Sequence, residues 1–215
     1  MTAKKLDVDY SIVAYSVYAI LSGPTFNGEK IPDTVLPEFY DKLGVTAGDE
    51  MFILYGKNEF DDGTYELQST LWDPNEFVPD LIVANLGTND SFYFNMIDQS
   101  KVAAETEVFV QKYEDFLAQL RNIYPNAEIP CTYGIMGQYI TDDIERTINN
   151  YINHTGDSHV HYYWFNEQNT EKNCMGADTH PNAKSQRDSA NELIREIEKL
   201  YGWKSDPNIN IDELI

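Results

Sequence analysis

Pro79-Asp80-Leu81-Ile82-Val83-Ala84-Asn85-Leu86, running directly into Gly87-Thr88-Asn89-Asp90, is the stretch on which the fold turns. A Pro-Asp turn opens it, and a short apolar run follows that is too brief for a helix and is closed by glycine. Such a run reads as a central strand of a parallel sheet, buried on both faces. Downstream, Val108, Phe109, Phe116, Leu117 and Leu120 fall at helical spacing, which predicts an amphipathic helix over about 103–122 that stops before Pro125. Ala127–Tyr133 reads as a further strand and leads into the loop Gly134-Ile135-Met136-Gly137. Thr141 can cap a helix whose apolar face is Ile144, Ile148, Tyr151 and Ile152. Gly156-Asp157 is a turn, and His159–Phe165 is a strongly β-prone strand. Asn182 can cap a last helix with Ala190, Leu193, Ile194, Ile197 and Leu200 on one face, closing near Gly202.

Upstream of the opening stretch, residues 10–15 read as a buried strand, with Ser16–Gly23 the loop that leaves it. Turn residues fill 22–34, and a short helix is predicted over about 34–43. The segment 44–78 has little periodicity, with Tyr55, Phe60, Tyr65, Trp72 and Phe77 among turn residues. It reads as a long insertion, either a binding loop or a packed irregular surface. Strands alternating with helices predict an α/β protein, a three-layer α/β/α sandwich with a mostly parallel sheet. One domain is expected over residues 1–203, with a loose tail over 204–215.

The composition narrows the function. With 42% hydrophobic residues and a formal net charge of −21, the chain has a substantial core and a strongly acidic surface. That field argues against nucleic acid and anionic membrane as partners, and suits a neutral or weakly charged substrate. No apolar run is long enough for a transmembrane helix. Residues 1–9 lack the apolar core of a secretory signal. Cys131 and Cys174 imply neither a zinc site nor a disulfide framework; they are either bridged to each other or free.

In an open parallel sheet, sites form beyond the carboxyl ends of the strands. Three loops are expected there: Ser16–Gly23, Gly87–Asp90, and the loop carrying Gly176-Ala177-Asp178-Thr179-His180-Pro181-Asn182. Gly134–Gly137 leaves a strand on the same edge and either shapes the site or makes a turn. His180, held just ahead of a helix, has the chemistry to take a proton near neutral pH and return it. Asn89 has the chemistry of an oxyanion donor, and Gly87 allows close backbone approach. Each has a plain structural reading too, as a turn residue or a surface histidine. Trp72, Tyr93 and Trp164 either form a sugar-stacking platform or belong to the core. His159 and His161 share a strand face at metal-like spacing, but without a third ligand they predict no metal.

These residues together resemble the SGNH hydrolases, and within them the second family of carbohydrate esterases. The likeness covers nearly the whole chain. LDVDYSIVAYS (6–16) looks like the strand leading to the family's second block, and IVANLGTND (82–90) like its third. IPCTYGIMGQYI (129–140) resembles the segment before the crossover helix, and GADTHPN (176–182) the last block. The resemblance implies removal of acyl groups, often acetyl, from sugars by a serine nucleophile with no cofactor. It assigns His180 as general base and acid, and Asn89 to the oxyanion hole. It sets Val17 where the second-block glycine offers its backbone N–H. A branched residue at Val17 is expected to crowd that hole and resist a positive φ. The triad acid commonly stands three residues before the histidine, which is Ala177 here; Asp178, two before, either orients His180 or caps the turn. A backbone carbonyl is the other candidate to orient His180. Gly87, Asp90, Trp72 and Trp164 are the residues expected around the substrate, an acetylated carbohydrate. Such esterases act outside the cell, so an extracellular location is implied.

One block departs from the pattern. The family's first block is a Gly-Asp-Ser on an interior strand ahead of the second block. Here Gly156-Asp157-Ser158 is a turn late in the chain, and the Asp-Ser pairs at 90–91 and 188–189 lie elsewhere. Without that strand, the edges at 10–15 and 81–86 would be unpaired or would have to pair with each other. Each lost buried bond costs about 1–3 kcal/mol against a domain stability of ~5–15 kcal/mol. The expectation is a piece of a longer esterase, with a preceding segment or domain, or a strand supplied from elsewhere. The alternatives are a remodelled sheet that binds glycan without hydrolysing it, or a fragment that does neither.

Overall fold

The computed structural model describes residues 1–42 and 70–213. The opening stretch is a strand of an all-parallel sheet with order β1 (Ala84–Asn85), β2 (Ile129–Tyr133) and β3 (Val160–Trp164). Ala84 pairs with Cys131, and Cys131 pairs with Tyr162. A parallel bridge from Leu81 to Glu128 extends the first pair backwards. β2 is buried along its whole length, as befits the middle strand.

Helices cover both faces. Six α-helices are described: α1 (Thr2–Leu6), α2 (Thr88–Met96), α3 (Gln99–Ile123), α4 (Thr141–Thr155), α5 (Thr170–Asn173) and α6 (Ala183–Tyr201), with short 3-10 turns at Leu36–Glu38, Ala177–Thr179 and Ile211–Glu213. Alternate residues of β3 separate the layers. Val160 and Trp164 pack into the core with α3 and α4, and Tyr162 donates its hydroxyl to Glu145 of α4. Tyr163 instead donates to Glu192 of α6, and His161 lies edge-on to Tyr201. The main core joins Phe109, Phe116 and Leu120 of α3 to Ile144 and Ile148 of α4 over Ile129 and Cys131.

The predicted helices follow their local signals. Asp98 caps α3 by accepting the Ser100 N–H at 2.8 Å. Asn182 caps α6 by accepting from Lys184 and Ser185, and Gly202 closes it at φ 70°. Thr141 departs from expectation: its hydroxyl donates to the Gln138 carbonyl, and α4 has no side-chain cap. The predicted helix at 34–43 shrinks to the turn Leu36–Glu38, where Pro37 interrupts the backbone donors. α2 occupies a stretch read as the end of a loop. Its Thr, Asn, Asp and Ser residues are poor helix formers, and burial of Tyr93 and Phe94 holds it in place.

Two expectations are overturned. Residues 10–15 form no strand; Tyr10, Ile12, Val13 and Tyr15 are exposed, and no described neighbour pairs with them. A strand owes its stability to its partner, so apolar alternation alone does not make one. The described part of the tail, residues 204–213, is not loose. Lys5 donates from Nζ to the carbonyls of Asp206 at 2.6 Å and Ile209 at 2.7 Å, and the Asp206 N–H returns to Lys5. Ile211 is buried with Leu6, Ala190, Ile194 and Ile197. Ile211→Ala is therefore expected to cost about 2–3 kcal/mol in urea unfolding. A loss within error of zero would return the tail to an ornament. Most of the predicted 44–78 insertion, with Tyr55, Phe60 and Tyr65, lies outside the described residues.

Candidate active site

The carboxyl end of β1 is built around one glycine. Gly87 has φ 114°, and a Cβ there would come within 2.9 Å of Ile144 Cδ1. A side chain is thus disfavoured by backbone and space alike. The chain turns directly into α2, which places Asn89 in the first turn. Asn89 donates from Nδ2 to the Tyr18 carbonyl at 2.7 Å.

Asp90, the next residue, is fully buried. Its carboxylate accepts the backbone N–H groups of Ile20 (3.1 Å), Leu21 (2.7 Å) and Ser22 (3.3 Å). Burial pushes its pKa up to about 6, against the pull of those donors. Asp90 is enclosed and cannot touch substrate as expected from sequence; it positions the 18–22 loop. At the start of that loop, Val17 does adopt the positive φ it was expected to resist, 65°. A left-handed L-residue costs roughly 1–2 kcal/mol, and glycine escapes that cost. Val17→Gly is expected to be about 1 kcal/mol more stable than Val17→Ala, since both lose the side chain but only glycine suits the backbone. Equal stabilities in thermal melts would remove the strain.

His180 stands on the loop after β3. Gln168 ties this loop to its neighbour, its N–H donating to Ile135 and its Nε2 to Thr179. Ala177–Thr179 is a tight 3-10 turn with Asp178 and Thr179 at φ 48° and 63°. His180 donates its N–H to Ala177 and accepts from Gly176. Its Nδ1 lies 3.0 Å from the carbonyl oxygen of Asp178. The backbone carbonyl, not the Asp178 carboxylate, contacts the imidazole. That contact places a proton on Nδ1 and leaves Nε2 as the basic nitrogen. Gly87, Asn89, Asp90 and Val17 are thus drawn together around Tyr18. His180 and Asp178 leave the same sheet edge on a separate loop, and no hydrogen bond joins the two groups among the described residues.

The sequence profile of the GDSL-like lipases and acylhydrolases matches residues 3–193. The chain belongs to that family. It is 32% identical over 141 residues to the cellulase/esterase CelE of Acetivibrio thermocellus, covering 61% of this chain and 16% of that one. It is 24% identical over 203 residues to an acetylxylan esterase/glucomannan deacetylase of Cellvibrio japonicus, covering 94% and 48%. Among solved structures, the acetyl xylan esterase Est2A of Butyrivibrio proteoclasticus superposes with a TM-score of 0.78 at 26% identity, covering 94% of this chain and 55% of that one. A family two carbohydrate esterase of Clostridium thermocellum bound to cellohexaose shares the fold, with a TM-score of 0.71 at 24% identity over 94% and 53%. The chain spans about half the length of the acetylxylan esterase and of these solved structures.

The one Gly-Asp-Ser run of the chain, Gly156-Asp157-Ser158, lies far from the His180 loop. Gly156 ends α4 at φ 72°, and Asp157 pairs with Arg121 at 2.7 Å. Ser158 therefore precedes β3, whereas the His180 loop follows it, a separation of about 17 Å along five residues. Trp72, Tyr93 and Trp164 do not form one platform. Tyr93 is buried in the core, Trp164 stacks on Tyr162 at 5.1 Å, and the Trp72 N–H donates to Asp41. A different pair is displayed. Phe26, 85% exposed, meets Phe92 edge-on at 5.5 Å, one helical turn after Asn89. Sequence reading passed over it, although an aromatic beside the Asn27-Gly28 turn was its signal.

The remaining candidates take structural parts. His159 and His161 both reach the Glu128 carboxylate, at 2.6 and 3.3 Å. Cys131 is free and buried, its thiol pushed up to about 12 by burial, and Cys174 is free and exposed. Among the described residues no helix is long and apolar enough to cross a membrane.

Proposed function

We propose that this chain presents the histidine and oxyanion side of a carbohydrate O-acetylesterase site, and that residues 1–215 alone hydrolyse little or nothing. The observation that carries the reading is the pairing of two prepared groups on one sheet edge. Asn89 is fixed by Tyr18, and His180 is oriented by the Asp178 carbonyl. In the reaction, Nε2 of His180 takes the proton of a serine hydroxyl as that oxygen attacks the acyl carbon, then gives it to the departing sugar oxygen. The second hydrogen of the Asn89 amide stabilises the tetrahedral oxyanion. The backbone carbonyl does the work of a third triad member, which makes a Ser–His dyad. No cofactor enters this scheme. The substrate class, acetylated plant polysaccharide, and an extracellular location come from kinship with the esterases named above.

The test is acetyl release from 4-nitrophenyl acetate and from acetylated xylan, with His180→Ala alongside. Equal background from both proteins is the expected result. Activity that vanishes in the variant would mean that a serine within residues 1–215 is the nucleophile. A second reading, glycan binding without hydrolysis, is favoured by the exposed Phe26–Phe92 pair, whose rings suit the apolar face of a sugar. Calorimetric titration with xylohexaose and cellohexaose tests it, and no heat at millimolar ligand would sink it.

A further inference from the structure

Three stretches meet beyond the carboxyl ends of β2 and β3, and two glutamines stitch them together. Phe165 leaves β3 with its N–H on the Tyr133 carbonyl at 2.8 Å, and its own carbonyl accepts from Gln138 Nε2 at 2.7 Å. Gly134, at φ 120°, makes that approach possible, since a Cβ there would stand 2.7 Å from the Phe165 oxygen. The Gln168 N–H then donates to the Ile135 carbonyl at 2.9 Å. The loop leaving β2 thereby fixes the base of Gln168. From that base the side chain reaches the next stretch, donating from Nε2 to the Thr179 carbonyl at 2.9 Å.

That carbonyl belongs to a turn that L-residues seldom make. Asp178 (φ 48°, ψ 41°) and Thr179 (φ 63°) are both left-handed. The conformation is costly to a residue with a Cβ, and most of all to a β-branched one. The His180 N–H closes the turn on Ala177, and the Gly176 N–H donates to the His180 carbonyl. These bonds hold the ends of the turn, and the mirror-image turn with both φ negative closes through the same kind of bond. What differs between the two is where the middle carbonyls point. The Asp178 carbonyl, 3.0 Å from His180 Nδ1, and the Thr179 carbonyl lie on peptide planes hinged at the Thr179 Cα. A turn relaxing to negative φ would swing both. Among the described residues, Gln168 is the side chain from outside the turn that grips one of them.

We propose that Gln168 is a positioning residue for His180. By holding the Thr179 carbonyl it keeps the turn left-handed, the Asp178 carbonyl against Nδ1, and Nε2 free as the basic nitrogen. The consequence is a choice between two neutral imidazoles. With its proton on Nδ1, the ring can accept a hydroxyl proton at Nε2. Released from the carbonyl, the ring carries its proton on either nitrogen, and the fraction protonated at Nε2 has no base to offer there. The Gly134–Gly137 loop gains a part in the site through Gln168. The step from tautomer to hydrolysis rests on the esterase reading. The tautomer itself is measured without substrate, so a failure of acetyl release and a failure of this proposal are separate results.

The experiment is long-range proton–nitrogen correlation spectroscopy of the imidazoles in the full chain at pH 8, where an ordinary imidazole is neutral. Of the four histidines, the His180 signals are those missing from His180→Ala. Wild type should show His180 protonated at Nδ1. Gln168→Met keeps the bulk and loses the donor. In it the ratio of Nδ1-protonated to Nε2-protonated ring should fall about fivefold, the equivalent of one ordinary hydrogen bond. Gln168→Glu, whose carboxylate cannot donate, should do the same, and it decides the matter if the methionine variant does not fold. Gln138→Met cuts the neighbouring stitch but leaves Gln168 on Ile135, so it should lower the melting temperature and leave the tautomer unchanged. An Nε2-protonated His180 in wild type, an unchanged ratio in either folded Gln168 variant, or an equal shift in Gln138→Met would overturn the proposal.

Discussion

Asp90→Ala is expected to unfold the protein or to strip most of its stability. The carboxylate is completely buried and accepts three consecutive backbone donors from a loop about seventy residues away in sequence. Removing it leaves those N–H groups without a partner in a place water does not reach. At about 1–3 kcal/mol for each, the loss is roughly 3–6 kcal/mol, a large part of a typical domain stability. Asp90→Asn keeps one acceptor oxygen and should cost less. Urea unfolding followed by circular dichroism measures both, and an Asp90→Ala loss below about 1 kcal/mol would show that the loop is held by other contacts.

The same residue gives a pH signature. Its pKa rises from 3.8 to about 6 on folding, because burial disfavours the charged form. Between those values the native state holds a proton that the unfolded chain has released. Its contribution to stability is therefore full below the unfolded value and is lost as pH rises through about 6. A shift of that size corresponds to about 3 kcal/mol. The difference in unfolding free energy between wild type and Asp90→Asn should change by that order from pH 4 to pH 7. A flat difference would mean that the three donors keep the carboxylate charged throughout.

Gly87→Ala is the second large effect. The position combines φ 114°, a conformation L-residues rarely adopt, with Ile144 Cδ1 at 2.9 Å and Ile140 Cδ1 at 3.3 Å from an added Cβ. Backbone strain costs about 1–3 kcal/mol. The isoleucine tips can swing aside, so overpacking adds only about 1 kcal/mol more. The expected loss is about 2–4 kcal/mol, with α2 displaced and the Asn89–Tyr18 bond disturbed. Chemical-shift changes reaching the Asn89 side-chain amide would follow. An alanine variant as stable as wild type would show that this turn relaxes freely.

The order of elements was legible in the sequence because its signals act over a few residues. Apolar spacing placed α3, α4 and α6, Asn182 and Gly202 marked the ends of α6, and the short run before Gly87 marked β1. The pairing of Gly87-Thr88-Asn89-Asp90 with the His180 loop pointed to the family that the profile match shows. Chemistry-bearing residues could be named, but not what each one touches. Asp90 reads as a residue beside the substrate and is a buried clamp, and Tyr93, which reads either as part of a platform or as core, is core. The orienting partner of His180 was left between carboxylate and carbonyl, and local backbone geometry selected the carbonyl.

What the sequence alone determined, then, is the succession of β1, α3, β2, α4, β3 and α6 and the family's residue types, because propensity, periodicity and capping are local. What only the tertiary structure decided is every feature that needs a distant partner. Residues 10–15 have strand-forming side chains but no described neighbour to complete their ladder, whereas the still shorter β1 has β2 beside it. The tail is ordered by Lys5 across about two hundred residues, and α2 holds poor helix formers because its buried face and Asp90 bind elements far upstream. Hydrogen bonds and burial are properties of pairs, and half of each pair lies elsewhere in the chain.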